Sequence, residues 1–294
     1  MKKIIFKGCG TAIVTPFDDN SINFEEFKKL IEFQITEGVD CIVVCGTTGE
    51  SSTMTTDEKK AAIKFAIDVS ARRVPVIAGT GANCTETAIQ MSQYAESVGA
   101  DGLLLVTPYY NKTTQDGLVA HFSAIAEKVK IPIVLYNVPG RTGMNILPKT
   151  YLELSKVDNI VAVKEAGSNI VQIAETISLC KDNLYVYSGN DNEIIPILSL
   201  GGIGVISVLS NIAPKNVHTM VNEYLEGDKS KAVKLQLDSL KLTSSLFCEV
   251  NPIPVKAALN IMGYNAGTPR LPLIEMSEAG KERLKKDMQE YGLI

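Results

Sequence analysis

Lys164 closes the run Ile160-Val161-Ala162-Val163-Lys164 and is followed at once by Glu165. Four apolar residues in a row read as a strand buried on both faces. A lysine placed at its end is pushed toward its neutral form by desolvation. A neutral amine attacks a ketone and forms a Schiff base. The resulting iminium draws electrons, so a neighbouring carbon loses a proton and becomes a nucleophilic enamine. A lysine that snorkels to solvent or pairs with a carboxylate is the competing reading. Other residue types suit the same chemistry. Tyr136 sits near the end of the preceding apolar run, where a phenol can shuttle protons or simply fill the core. Thr47 and Thr48 follow Gly46, and their hydroxyls and amides can hold a carboxylate, relay a proton or form a plain turn. Arg141 lies in the Gly/Pro-rich stretch Val138-Pro139-Gly140-Arg141-Thr142-Gly143, where a guanidinium can grip a carboxylate with two bonds or remain solvated.

Such groups act together only if the elements bearing them end on one side. Eight short apolar runs read as strands: residues 11–15, 41–45, 75–79, 102–107, 133–137, 160–164, 184–188 and 205–208. Helical patterns fill the gaps, at 23–36, 88–97, 114–129, 148–156, 169–179 and 192–200, with Thr56-Asp57-Glu58 opening another. Alternation of this kind predicts an α/β fold, a (β/α)8 TIM barrel. No G-x-G-x-x-G follows the first strand, which weighs against a doubly wound sheet. Residues 214–226, 228–247, 254–262 and 277–291 read as helices with no strand between them, a C-terminal helical extension. The division is a barrel over 1–226 and an extension over 227–294. Functional groups of a barrel gather at the C-terminal ends of its strands. Gly46-Thr47-Thr48-Gly49-Glu50-Ser51, Thr107-Pro108-Tyr109-Tyr110-Asn111, Lys164-Glu165 and Ser188-Gly189-Asn190-Asp191 all fall there. Gly201-Gly202-Ile203-Gly204 precedes the last strand and reads as a tight entry to it, on the opposite face.

Composition narrows the classes. The 294 residues carry 29 Lys and Arg against 33 Asp and Glu, a net charge of −4. No basic run suggests a nucleic-acid footprint. The start, Met1 to Lys7, lacks the apolar h-region of a signal peptide. No apolar run approaches the roughly 20 residues of a membrane span. A cytoplasmic protein is expected. The six cysteines are scattered and read as core residues rather than a disulfide framework, Cys41 and Cys45 sharing one strand face. His121 and His218, the only histidines, stand apart from other ligand types, so a zinc site is not expected.

Four stretches are identified together: Gly46-Thr47-Thr48-Gly49-Glu50-Ser51, Tyr109-Tyr110-Asn111, Tyr136-Asn137-Val138-Pro139-Gly140-Arg141-Thr142 and Val163-Lys164-Glu165. In this order and spacing the chain resembles, over essentially its whole length, the dihydrodipicolinate synthases, within the wider family of N-acetylneuraminate lyases and class I pyruvate aldolases. The resemblance implies condensation of pyruvate with L-aspartate 4-semialdehyde, a step of lysine and diaminopimelate biosynthesis, without cofactor or metal. It implies that Lys164 forms the imine and that Tyr136, Thr48 and Tyr110 make the proton relay, Tyr110 reaching in from a neighbouring subunit. Thr47 and Thr48 would hold the pyruvate carboxylate, Arg141 the carboxylate of the semialdehyde, and Gly189 and Ile206 would line the pocket. A homotetramer is implied, with no nucleic-acid or membrane partner. A related aldolase acting on a sugar acid, or a non-catalytic ligand sensor on the same barrel, are the alternatives. Arg141 weighs against the first, and the pair Lys164 and Tyr136 against the second. Many such enzymes are inhibited by L-lysine at an interface near Tyr109, at positions matching Ser51, Ser52, Lys59, Asn83, Thr87 and Tyr109. Lysine-sensitive members have a histidine or another non-basic polar residue at the place of Lys59 and a glutamate at that of Thr87, which implies weak or absent feedback here.

Overall fold

The computed structural model describes residues 2–18 and 21–294; Met1, which opens the run compared with a signal peptide, lies outside them. Eight parallel strands close into a barrel: Gly8–Ala12, Cys41–Val44, Val76–Gly79, Gly102–Val106, Ile133–Asn137, Ile160–Glu165, Tyr185–Ser188 and Gly204–Ser207. Each strand pairs with its sequence neighbour, and the first closes the ring on the last through Gly8↔Gly204 to Thr11↔Ser207. Helices cover the outside, so the barrel strands are buried on both faces over most of their length, as an apolar run demands.

Local signals set the helix starts. The Asn23 side chain accepts from the Glu26 amide at 2.9 Å and caps Phe24–Thr36. Thr55 and Glu58 form a reciprocal capping box at the head of Thr56–Ser70. Pro148 occupies the first turn of Pro148–Leu154, where its missing N–H costs nothing.

The first strand was expected at 11–15 and lies at Gly8–Ala12. Glycines 8 and 10 depress strand propensity, which displaces a pattern-based reading toward the β-branched residues after them. Those residues instead leave the ladder at the rim, where the Val14 amide donates to Asn211 Oδ1 at 3.1 Å and the Thr15 hydroxyl to the Gly49 carbonyl at 2.8 Å. Two further corrections concern Cys45 and Arg141. Cys45 lies beyond its strand with φ of 56° and packs in the outer core, whereas Cys41 faces the barrel interior. The stretch holding Arg141 is not all loop but contains a one-turn helix, Pro139–Thr142.

Side chains alternate between two cores. Val43, Ile77, Leu104, Val134, Tyr136 and Ile206 face the barrel interior. Phe6 plugs the N-terminal end, stacked on Tyr187 at 4.5 Å, and its carbonyl accepts from the Tyr187 hydroxyl. Leu103, Leu135, Val163, Val186 and Val205 point outward to the helices. Four helices follow the last strand: Pro214–Glu226, Lys229–Leu246, Ile253–Ile261 and Glu278–Tyr291. The second packs along the first and against the last. No helix among the described residues is long and apolar enough to cross a membrane.

Candidate active site

Strand register brings the first two candidates together. Tyr136 pairs with Lys164 across neighbouring strands, and on one sheet face opposite residues have Cβ atoms about 5 Å apart. The Lys164 ammonium stands 4.5 Å from the centre of the Tyr136 ring. Both side chains are buried at the C-terminal end of the barrel. Burial pushes the Lys164 pKa from 10.5 down to about 8; buried Asp191 opposes the shift and Arg141 assists it. Burial also raises the Tyr136 phenol, against the charge of Arg141 and a side-chain hydrogen bond with Thr47.

The two threonines part company. Thr47 is half-buried and lines a small cavity with Gly46, Ser51, Leu104, Val106 and Tyr136, so its hydroxyl is the one beside the phenol. Thr48 is buried, and its oxygen accepts from Asn251 Nδ2 at 3.1 Å. The contact with Tyr136 expected of Thr48 is therefore made by Thr47, because successive residues of this turn point in different directions. The exposed Arg141 donates from Nη2 to the Asn251 carbonyl at 3.2 Å. Asn251, from the segment before Ile253–Ile261, thus touches both a threonine and the arginine, and its buried Oδ1 has no hydrogen-bond partner among the described residues.

Gly189 follows the seventh barrel strand. A Cβ there would meet Ala166 Cβ at 2.8 Å and the Glu165 carbonyl at 2.9 Å, so glycine is what lets the two strand ends close beside Lys164. Ile206 is fully buried and packs in the same interior cluster as Tyr136. Tyr110 alone stands off. Its backbone is left-handed, with φ of 72°, and its ring is 91% exposed.

Sequence reading gave no part to Asn251, Asp191 or Glu165, although the last two lie inside stretches it quoted. Asp191 accepts from the Ser207 hydroxyl at 2.5 Å and from the amides of Val208 and Leu209, which fixes the strand end bearing Ile206. Nothing local marks Asn251, which reaches the rim from 203 residues beyond Thr48. Among the described residues, no group of three or more His, Cys, Asp or Glu could hold a metal ion.

The arrangement can make an imine: a desolvated amine, a phenol against it, and hydroxyl and guanidinium groups at the mouth. Comparison with known proteins agrees with that chemistry. The dihydrodipicolinate synthetase family model matches residues 5–291. The chain is 57% identical over 291 residues to the 4-hydroxy-tetrahydrodipicolinate synthase of Thermoanaerobacter sp. (strain X514), covering 99% of this chain and 98% of the relative. It superimposes on the dihydrodipicolinate synthase of Thermotoga maritima with a TM-score of 0.97 and 43% identity, over 99% of this chain and 100% of the other. The synthase of Acinetobacter baumannii in complex with pyruvate gives 0.95 and 42%, over 98% and 99%. The chain belongs to the dihydrodipicolinate synthetase family.

Proposed function

We propose that this protein condenses pyruvate with L-aspartate 4-semialdehyde to give 4-hydroxy-tetrahydrodipicolinate. One observation carries the reading: Lys164 is buried at the barrel rim, against a phenol, with its pKa lowered to about 8. The neutral amine adds to the pyruvate ketone, and the carbonyl oxygen takes up two protons, one from the amine and one relayed, and leaves as water. The protonated imine then loses a C3 proton, and the enamine carbon attacks the aldehyde carbon of the semialdehyde, whose oxygen is protonated. Attack of the semialdehyde's own amine on the imine carbon closes the ring and frees Lys164. Two substrates thus become one product and one water.

Tyr136 and Thr47 are the proton carriers in this scheme, since both line the same small cavity and the Thr47 hydroxyl favours the ionised phenol. The threonine pair holds the pyruvate carboxylate, and Gly189 and Ile206 shape its pocket. Arg141, exposed at the mouth, receives the carboxylate of the second substrate. Tyr110 completes the relay of a neighbouring copy, which its exposure supports. A homotetramer needs a second face. Ile170 and Val171 on one helix and Leu237 and Leu240 on another leave apolar surface for it. The cytoplasm, where thiols stay reduced, suits six free cysteines.

Incubation with pyruvate and borohydride, followed by intact and peptide mass measurement, tests the reading. A reduced pyruvate adduct on Lys164 is expected. An adduct on Lys112 or Lys215, or none, overturns it. Turnover of N-acetylneuraminate or a keto-deoxy sugar acid in place of the semialdehyde would move the protein to another member of the aldolase family.

A further inference from the structure

Glu165, next to the reactive lysine, takes no part in the scheme above. Strand alternation turns it the other way, into the layer between barrel and helices. It is buried, and four donor contacts converge on its carboxylate. The Gly167 amide donates to Oε1 at 2.8 Å and the Tyr151 hydroxyl to Oε2 at 3.0 Å. Asn137 Nδ2 donates to both oxygens, at 3.0 and 3.1 Å. No lysine or arginine forms an ion pair with it among the described residues. A Cβ on Gly167 would meet Oε1 at 2.7 Å, so the chain has left room for this carboxylate.

Asn137 carries the network onward. Its Nδ2 also donates to Asn145 Oδ1 at 2.8 Å, and its Oδ1 accepts from the Ile146 amide at 3.0 Å. Asn145 in turn donates to Gln172 Oε1 at 2.8 Å. Asn137 and Asn145 bracket residues 138–144, the segment that presents Arg141. One carboxylate therefore ties the end of the lysine strand to both ends of the arginine loop.

We propose that Glu165, as a carboxylate, is a positioning residue: it anchors the loop bearing Arg141 to the neighbouring strand end, and so sets how the second substrate is received. The inference rests on the reading of the site given above. An all-donor shell fits an ionised acceptor; a neutral acid or amide would set its own N–H or O–H against a donor. Burial, with no compensating cation, pushes the Glu165 pKa up to about 7, against the bonds from Gly167, Asn137 and Tyr151 and with the charge of Glu193. The other titratable groups facing it are Tyr151, itself near Cys180, and Tyr136. The positioning form then fades just below neutrality.

Kinetics separates this from Lys164. With pyruvate saturating, the lysine is already an imine, so kcat/KM for the semialdehyde reports the groups of the loaded enzyme. Wild type should lose this kcat/KM on the acid side of about pH 7. Glu165→Gln should remove that limb and lower the value about 10–100-fold, as misplacement on the scale of 1 Å does. Its borohydride-trapped pyruvate adduct should form nearly as in wild type. Tyr151→Phe, which keeps the carboxylate but deletes one donor, should move the limb to higher pH. Three results overturn the inference: an unchanged limb in Glu165→Gln, equal loss of adduct and semialdehyde use, or an unmoved limb in Tyr151→Phe. Should Glu165→Gln fail to fold, the Tyr151→Phe limb decides alone. A wild type that forms no pyruvate adduct removes the reading of the site and this inference together; an adduct with an unmoved limb removes the inference only.

Discussion

Lys164 and Lys256 are both buried, at 5% and 1% exposure, and both ammonium groups stand about as far over an aromatic ring, 4.5 Å from Tyr136 and 4.6 Å from Phe17. Burial lowers the pKa of each. Their surroundings differ in what answers the charge. Lys256 donates to Glu50 Oε1 at 2.8 Å and to the carbonyls of Thr15 and Thr268 at 3.2 and 3.1 Å. Glu50 also accepts from the Arg270 amide at 2.9 Å, so the pair fastens the C-terminal extension to the loop after Thr47 and Thr48. Lys164 has no carboxylate within ion-pair distance among the described residues; its nearest compensation is the field of Asp191. Burial alone therefore does not make a lysine a reagent. A paired ammonium stays charged and holds the fold, whereas an unpaired one is pushed toward the nucleophilic form.

Substitution by methionine should split the two. Lys164→Met is expected to abolish the pyruvate adduct and turnover while raising thermal stability. A lowering of its pKa from 10.5 to about 8 means that the charged form costs the fold about 3 kcal/mol. The native state binds fewer protons than the unfolded one between those values, so wild-type stability should rise as pH climbs through 8 toward 10.5. A Lys164→Met variant less stable than wild type at pH 7 would show that the ammonium is paired after all. Tyr136→Phe keeps the ring under the lysine and removes the hydroxyl. Turnover should fall about 10²–10⁴-fold, and near-normal kcat would make the phenol idle. Lys256→Met should do the reverse of the Lys164 change, costing about 3–5 kcal/mol by stranding Glu50 without its partner. Denaturant titration reads it, and a neutral result would reduce the pair to filler.

Arg141→Ala should lower semialdehyde kcat/KM about 10–150-fold, the worth of one lost charge-assisted bond, with adduct formation retained. Loss of the adduct instead would move Arg141 to the pyruvate side. The smallest effect concerns Lys59, a third and half-buried lysine. The resemblance places Lys59 and Thr87 at an effector site, where a lysine would repel a bound cation and a threonine would supply no counter-charge. Initial rates at saturating pyruvate should show weak or no inhibition by added L-lysine; strong inhibition below the millimolar range would mean that another acid serves, such as Glu86, which now accepts from Gln90 at 2.9 Å.

Much of this was legible in the chain. Eight two-face apolar strands at regular spacing leave few arrangements other than a closed parallel barrel, and helix caps such as Asn23 and Thr55 are written in neighbouring residues. Strand ends name the rim, so Lys164, Tyr136 and Arg141 follow from periodicity and the barrel rule, while the pocket role of Gly189 came from the resemblance. Proximity across the chain does not follow. Which threonine meets the phenol depends on how the turn after Val44 is held, and its anchor is Asn251. That Lys256 is paired and Lys164 is not is equally invisible, since each lies in an apolar run and the partner of Lys256 lies 206 residues away. Local sequence determined the elements and the residue types at their ends, because caps, glycines and periodicity act over a few residues. The tertiary structure decided which charges are answered, because hydrogen bonds and ion pairs depend on ångström distances between segments that only the closed barrel brings together.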